Sequence, residues 1–278
     1  MTIKALIDSE EKFFSKIIQT SEAIGPTEIE TYRHETVGAR RERVSIEVFR
    51  STNGLIKHGS FKGLRLTENT WWGKSDLGAQ VMGLYEKSIL DFVFRNYSAQ
   101  PCDTFVDIGA ADGYYAIGML FSGLAKNCVC FESSIVGREA IFENAKLNSI
   151  NKSCLDVREH ADQTSISALK WDALGNSLVL IDIEGGEFDL LDESSVFESL
   201  KRSTVLIEVH HWVSDFLSKY TQLLENASVH HEVNVLNPVA PNSNIDDLRA
   251  LPDDNRMLLC SEGRPALMRF LCLKPKSV

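Results

Sequence analysis

A short segment around residue 107 combines an apolar run, a carboxylate and two glycines in an order that suits a nucleotide-like ligand. Asp107 lies near the end of the apolar run 104–108, and Gly109 and Gly113 follow in the turn before a helical stretch. Glycine lets backbone approach a bound molecule closely because it has no Cβ. Glu132 closes the next apolar run, where a carboxylate can accept hydrogen bonds from two ribose hydroxyls.

The turn differs from the dinucleotide fingerprint Gly-x-Gly-x-x-Gly. It reads Asp107-Ile-Gly-Ala-Ala-Asp-Gly113 and lacks the middle glycine, which admits a pyrophosphate. The carboxylates of Asp107 and Asp112 would also repel a diphosphate. A ligand with a ribose, no phosphates and a charged amino-acid tail fits better, and S-adenosylmethionine has that chemistry. The alternative interpretation of the turn alone is a tight strand-to-helix connection without a ligand.

A second group of carboxylates follows another apolar run. Asp182 and Glu184 precede two glycines that open a helix. Carboxylates at the end of a buried strand are costly unless they bind something, so they indicate a functional site. Glu187 lies in the first helical turn, where it either joins this site or complements the helix dipole.

A third group is Glu208 with the neighbouring histidines. Side chains alternate along a strand, so Glu208 and His210 point to one side and His211 to the other. A histidine beside a carboxylate can act as a general base, as can the pair Asp182 and Glu184. A hydrogen-bonded structural role is the alternative for both histidines.

A divalent cation is a further hypothesis. Asp182 and Glu208 are expected at neighbouring strand ends, and with His210 or Glu184 they could hold one ion that lowers the pKa of an acceptor hydroxyl. This metal-assisted variant is not the favoured one, because spacing in the sequence does not give ligand geometry.

The pattern of elements explains how these side chains come together. From residue 103 apolar strands alternate with helices, which predicts a doubly wound, mostly parallel seven-stranded α/β sheet. In such sheets the ligand lies beyond the carboxyl ends of the strands, which adds Asp162 after the third strand. In the tail, residues 233–236, 257–261 and 268–273 are predicted strands, the last two an antiparallel pair at the sheet edge.

The first 98 residues do not follow this alternation and are predicted to form a cap. We expect a helix over residues 3–18, then a hairpin in which Val44, Ile46 and Val48 alternate before a turn at 52–54 and a return strand over 55–61. Ser75-Asp76 would cap a helix whose apolar residues from Val81 to Val93 share one face. Trp71, Trp72 and Lys74 are a candidate lid edge, the alternative for the tryptophans being packing of the cap on the core. The domains are therefore 1–98 (cap) and 99–278.

Composition restricts the partners. The chain has 278 residues and a net charge of −10, which disfavours nucleic acids and anionic membranes. Its six cysteines are scattered and are expected to be free, mostly buried thiols. Because no apolar run approaches the roughly 20 residues of a membrane span and the N-terminus is unlike a secretory signal, a cytoplasmic location is expected. A homo-oligomer is compatible with the sequence.

Residues 103–212 resemble the FkbM-like family of S-adenosylmethionine-dependent methyltransferases. The resemblance is carried by the turn from Asp107 to Gly113, by Phe131-Glu132, and by Ile181-Asp-Ile-Glu-Gly-Gly-Glu187 closed by Glu208-Val-His210. It departs from the family at Ala111, Asp112, Ser133 and Leu180. The resemblance implies a class I, Rossmann-like methyltransferase fold, with the turn near the methionine part of the cofactor and Glu132 on its ribose.

Residues and resemblance together give the expected roles. Cofactor binding is expected for Asp107, Gly109, Ala110, Asp112, Gly113, Glu132, Asp162 and Asp182; catalysis for Asp182, Glu184, Glu208 and His210; and acceptor binding for Trp71, Trp72, Lys74 and His211. The leading hypothesis is O-methylation of a sugar hydroxyl or another small polar metabolite. The alternatives are a nicotinamide-dependent oxidoreductase and a non-catalytic cofactor-binding module.

Overall fold

The computed structural model of the protein describes residues 4–5, 7–9, 11–12, 35–237, 239–263 and 269–276. In these ranges the strands are β1 (Cys102–Ile108), β2 (Ala125–Phe131), β3 (Leu155–Arg158), β4 (Ser177–Ile181), β5 (Thr204–Val209), β6 (His231–Leu236) and β7 (Arg269–Pro275). They form one sheet in the order β3-β2-β1-β4-β5-β7-β6. The first five strands are parallel, and β7 is antiparallel to both β5 and β6. The predicted mostly parallel, seven-stranded sheet with an antiparallel pair at one edge is confirmed.

Helices cover both faces of this sheet. They are α1 (Val37–Ser51), α2 (Leu77–Val81), α3 (Lys87–Tyr97), α4 (Tyr114–Phe121), α5 (Ile135–Leu147), α6 (Gln163–Ser167), α7 (Trp171–Leu174), α8 (Glu187–Leu190), α9 (Ser194–Leu200), α10 (Phe216–His230) and α11 (Asp253–Leu259). Because side chains alternate along β4, Leu178 and Leu180 enter a core shared with α1 to α5, whereas Val179 and Ile181 enter a second core shared with α8 to α10. None of the helices in the described ranges is long and apolar enough to cross a membrane.

The predicted hairpin in the cap is wrong, because residues 44–48 belong to helix α1. Thr36 begins this helix, with its hydroxyl accepting from the backbone of Ala39. Val44 and Val48 are buried four residues apart, which is helical spacing, and an alternating pattern of three residues fits that spacing equally well. The turn at 52–54 is present, but the chain after it forms a single bridge between Leu55 and Arg65 rather than a strand.

The single helix expected after residue 76 is also wrong, since the chain breaks it into α2 and α3. Gly83 and Glu86 between them both adopt positive φ, of 64° and 42°. A left-handed backbone cannot continue an α-helix. Asp76 occupies the cap position of α2 without a capping hydrogen bond, and its carboxylate pairs with Arg41 instead.

The strand predicted over residues 257–261 is wrong as well, because residues 257–259 are the end of helix α11 and residues 260–261 follow it without forming a strand. Pro252 precedes Asp253 and Asp254 in its first turn, and acidic side chains there favour a helix start. The antiparallel pair at the sheet edge is formed by β6 and β7. Part of the long connection between them, which we name the crossover segment (residues 239–263), packs on helix α1: Arg40 Nε donates to Asn255 Oδ1 at 2.7 Å.

Two further predictions concern the N-terminus and the cysteines. Most of the helix expected over residues 3–18 lies outside the described residues, although the described residues 4–5, 7–9 and 11–12 are helical. All six cysteines are free, and Cys102, Cys128, Cys130 and Cys272 are buried. The short helices α6, α7 and α9 are not predicted by the sequence pattern.

Candidate functional site

The candidate residues converge where the strand order of the sheet reverses. β1 pairs with β2 on one side and with β4 on the other, so their carboxyl ends meet at the same edge. Glu132, Asp107, Asp182 and Glu208 lie at the ends of β2, β1, β4 and β5, in that order along the edge. Because neighbouring strands are about 4.8 Å apart, this row spans roughly 14 Å. That length suits a ligand larger than a single ring.

A cavity of about 1070 Å³ opens over this edge. Most of the predicted site residues line it: Trp71, Trp72, Asp107, Gly109, Ala110, Asp112, Glu132, Asp162, Asp182, Glu184, Glu208 and His210. The carboxyl ends of the parallel strands therefore bring most of the predicted site residues to one cavity, as expected for this type of sheet.

Three predicted residues do not line the cavity. Lys74 Nζ pairs with Glu68 at 2.9 Å. Gly113 begins helix α4, and a Cβ there would meet Ile141 in the core rather than a ligand. His211 is exposed, and its ring contacts Trp212 and Phe216.

Glu132 is held in place by the backbone around it. Its Oε2 accepts from the N–H of Ala111 at 2.9 Å, and its Oε1 accepts from the N–H of Ser134 at 2.6 Å. Burial raises the pKa of Glu132, and these two hydrogen bonds oppose the rise. Each carboxylate oxygen has two lone pairs, so the group retains capacity for hydroxyl donors from the cavity.

Asp112 holds residues 70–71 at the cavity through two hydrogen bonds. Its two carboxylate oxygens accept from the hydroxyl of Thr70 and, at 3.1 Å, from the backbone N–H of Trp71. The indole of Trp71 then lies beside Gly137 and Glu132, because a Cβ at Gly137 would be 2.5 Å from Trp71 Nε1 and 2.7 Å from Glu132 Cγ. Trp71 thus covers the Glu132 end of the cavity.

Asp107 is the most buried of the carboxyl groups in the turn. It is 2% exposed, and its Oδ2 has no hydrogen-bond partner among the described residues. Burial, followed by the negative charge of Asp182, raises the pKa of Asp107 to about 8. A buried polar atom without a partner is costly, so this oxygen suits a ligand donor.

Asp162 lines the cavity and also caps a helix. It begins helix α6, and its Oδ1 accepts from the backbone N–H of Ser165 at 2.6 Å. This hydrogen bond lowers the pKa of Asp162, which lies at the cavity wall.

His210 lies within a ring of four carboxylates. Its Nδ1 is 3.1 Å from Glu187 Oε1, and its Nε2 is 3.5 Å from Asp182, 3.8 Å from Glu184 and 3.8 Å from Glu208. Burial lowers the pKa of the imidazole, but the hydrogen bond to Glu187 and the surrounding negative charges outweigh it, so the pKa is raised.

Glu187 fixes the position of this histidine. It is fully buried and accepts from the backbone N–H of His210 at 2.9 Å and from that of Gly185 at 2.9 Å. The carboxylate therefore ties the end of β5 to the loop after β4. Its role is more than compensation of the helix dipole, the alternative that its position in the first turn of α8 allowed.

Sequence reasoning missed the far wall of the cavity. Tyr85, Tyr115, Glu262 and Gly263 line it. Glu262 Oε1 accepts from the backbone of Glu86 at 2.9 Å, and the Tyr115 hydroxyl donates to Glu86 Oε2 at 2.5 Å. The crossover segment brings Glu262 here from a turn predicted to lie at the sheet edge, and no local pattern in the sequence indicates that path.

Comparison with known proteins gives little information about the function of this site. No protein-family model and no curated protein matches the sequence, so the resemblance to the FkbM-like family stays a prediction. Among solved structures, the O-methyltransferase from Bacillus cereus in complex with SAH is similar with 15% identity and a TM-score of 0.47, covering 96% of this chain and 99% of that one. The ribosomal protein L11 methylase from Lactobacillus delbrueckii subsp. bulgaricus has 17% identity and a TM-score of 0.44, covering 77% and 86%. Similarity this low carries no argument about activity, which has to rest on the site.

Proposed function

We propose that this protein is an S-adenosylmethionine-dependent methyltransferase that methylates a hydroxyl of a sugar or another small polar metabolite. The observation that carries the proposal is that one cavity is lined by Glu132, by Asp107, whose Oδ2 has no hydrogen-bond partner among the described residues, and by the acidic cluster at His210. The volume of about 1070 Å³ is enough for a nucleoside-sized cofactor together with a small acceptor. The resemblance of residues 103–212 to the FkbM-like family supports the same cofactor.

The residues fit this cofactor at two points. Glu132 offers carboxylate lone pairs for the two ribose hydroxyls, and Asp107 Oδ2 offers a buried acceptor for the ammonium of the amino-acid tail. Trp71 lies over the Glu132 end, where it excludes water from the nucleoside. When bound, S-adenosylmethionine supplies an electrophilic methyl group on a positively charged sulfur.

The acceptor end is the cluster at His210. The His210 side chain is 2% exposed, and its Nε2 faces three carboxylates, so an acceptor reaches the imidazole less easily than it reaches Asp182 or Glu184, which are 30% and 48% exposed. Of the bases considered from the sequence, we therefore favour the pair Asp182 and Glu184. These groups hold the proton that leaves the acceptor hydroxyl as the methyl group arrives, and His210 positions them.

Calorimetric titration of the purified protein with S-adenosylhomocysteine and, separately, with NAD tests this function. We expect one S-adenosylhomocysteine per chain and no binding of NAD, followed by transfer of radiolabelled methyl to members of a panel of sugars and polar metabolites. Binding of NAD alone would support the oxidoreductase alternative. Binding of S-adenosylhomocysteine without transfer to any acceptor would support a non-catalytic module.

A further inference from the structure

The ring of carboxylates around His210 concentrates negative charge on one side chain. Asp182, Glu184, Glu187 and Glu208 surround the imidazole, and Glu187 and Glu208 are 0% and 3% exposed. Like charges held this close are unfavourable where two of the carboxylates are buried, so the arrangement favours a cation.

The orientation of the imidazole indicates where such a cation would bind. The Glu187 carboxylate can only accept, so Nδ1 carries the proton that it donates to Glu187 Oε1 at 3.1 Å. In the neutral imidazole Nε2 then presents a lone pair toward the carboxylates. A carboxylate on the outer nitrogen is the usual way in which proteins orient a metal-binding histidine and raise its basicity.

The distances between the facing atoms are close to, and slightly longer than, those between the ligands of one ion. Two atoms bound to one ion at about 2.1 Å, with angles between 90° and 109°, lie roughly 3.0 to 3.5 Å apart. Nε2 of His210 is 3.5 Å from Asp182 Oδ1 and 3.8 Å from Glu208 Oε2, and ligand atoms of all three residues lie within 4.8 Å of one another. Small side-chain rotations would bring them to one centre.

The proposed reaction gives an independent reason for an ion here. The carboxylates of Asp182 and Glu184 are weak bases for a sugar hydroxyl, whose proton is far less acidic than a carboxylic acid. A divalent cation lowers the pKa of a hydroxyl that approaches it and closes much of this gap. At the same edge of the sheet, the buried Asp107 Oδ2 has no hydrogen-bond partner among the described residues, which favours a donor or a cation supplied by a ligand.

We infer that Asp182, Glu208 and Nε2 of His210 bind one divalent metal ion, and that Glu187 is the carboxylate that orients His210. Asp182 is then a ligand of the ion, so that of the pair proposed above only Glu184, at the open side, is left as the base. An imidazole with two carboxylates favours Mn²⁺ or Zn²⁺ over Mg²⁺, which prefers an all-oxygen shell. The ion's role in methyl transfer rests on the proposed function, whereas its binding does not.

Metal binding is measured on protein that has been stripped with a chelator and then dialysed. Titration with Mn²⁺ followed by electron paramagnetic resonance, and with Zn²⁺ and Mg²⁺ by calorimetry, is expected to show one site per chain with the weakest affinity for Mg²⁺. Glu208→Gln and Asp182→Asn should each weaken Mn²⁺ binding about 100-fold or more, because each removes a charged ligand. Glu187→Gln should weaken Mn²⁺ binding about 10-fold to 100-fold, because Glu187 orients His210 without being a ligand itself.

Glu225→Gln on the exposed side of α10 is the matched control, since it removes the same charge far from the cluster. Unchanged Mn²⁺ affinity in both ligand variants, or no binding to the wild-type protein, would overturn the inference. Circular dichroism identifies a variant that fails to fold. If Glu208→Gln does not fold, the Mn²⁺ affinity of Asp182→Asn tests the inference instead, because Asp182 is partly exposed and its substitution disturbs the fold less. S-Adenosylhomocysteine binding without metal binding would defeat this inference alone; metal binding without S-adenosylhomocysteine binding would defeat the proposed function alone.

Discussion

Gly109 packs directly against the carbonyl oxygen of Asp182, so that a Cβ on Gly109 would overlap it. The contact joins the turn after β1 to the loop after β4, and both segments line the cavity, with Gly109 and Glu184 among their lining residues. Only glycine fits at position 109, because the backbone of Asp182 leaves no room for a Cβ. Its φ of 93° is also a conformation that other residues rarely adopt.

Gly109→Ala is therefore expected to destabilise the protein by about 3 kcal/mol or more, through backbone strain and steric overlap. Gly38→Ala is the control: Gly38 lies in helix α1, and a Cβ there meets nothing within 4 Å. That change should stabilise by about 0.5 kcal/mol, since alanine favours a helix. Urea unfolding of both variants measures the difference, and equal stability of the two would contradict it.

Glu132→Gln should weaken binding of S-adenosylhomocysteine by about 10-fold to 100-fold, the scale of lost charge-assisted hydrogen bonds. Glutamine keeps one oxygen for the backbone of Ala111 or Ser134, so the turn should remain folded. Glu139→Gln on the exposed face of α5 removes the same charge nearby and should leave the affinity unchanged. If calorimetry gives equal affinities for the two variants, Glu132 does not hold the ribose.

Trp71 should report cofactor binding through its fluorescence. The indole lies beside Glu132 at the predicted nucleoside end, so S-adenosylhomocysteine should change its emission. Trp71→Phe should remove most of this change. Trp171→Phe should not, because Trp171 lies outside the cavity and donates through Nε1 to the carbonyl of Ile166 at 2.9 Å. A full signal in Trp71→Phe would place the ligand elsewhere.

Gly137→Ala tests the same contact without removing the indole. The added methyl group would push Trp71 and Glu132 apart, since both lie within 3 Å of its position. We expect S-adenosylhomocysteine binding about tenfold weaker, the effect of a misplaced lid and carboxylate. Binding as tight as in the wild-type protein would show that the indole does not need this position.

Glu262 gives the stability a dependence on pH. Burial, followed by the charge of Glu86, raises the pKa of Glu262 to about 7 in the folded protein; Asp76 acts in the same direction and Arg41 opposes it. The unfolded chain ionises this group first, so stability falls as pH rises from about 4.5 to 7 and this loss is complete above pH 7.

Glu262→Gln should therefore exceed the wild-type stability by up to about 3 kcal/mol at pH 8 and by little at pH 5, given about 1.4 kcal/mol per pKa unit. The amide oxygen can still accept from the backbone of Glu86. Urea unfolding of both proteins at the two pH values measures this difference. A gain independent of pH would show that ionisation of Glu262 is not its cause.

The sheet could be predicted from the sequence because its central strands are continuous apolar runs. Runs such as 104–108 and 177–181 are buried on both faces, and the carboxylates at their ends mark the edge over which the cavity opens. For this reason Asp107, Glu132, Asp182 and Glu208 can be identified from the sequence alone.

The errors fall where short apolar patterns fit two structures. The positions of Val44 and Val48 fit both a strand and a helix. Ser45 is also buried in the helix, where its hydroxyl donates to the carbonyl of Lys74 at 2.7 Å, but as a polar residue it does not contribute to an apolar helical pattern in the sequence. Residues 257–261 are apolar enough for a strand, but Pro252 and the two aspartates after it favour the helix that forms. Glu262 could not be assigned to the site, since its place depends on the path of the crossover segment.

The order of the last two strands also constrains how the chain reaches its final form. β7 lies between β5 and β6, although it follows both in the sequence. β6 therefore has no neighbour in the sheet until β7 has been synthesised and inserted, and the crossover segment that supplies Glu262 lies between those two strands. On the ribosome, the wall of the cavity that holds Glu262 can therefore take shape only after the edge formed by β1, β2 and β4, since those strands have emerged long before.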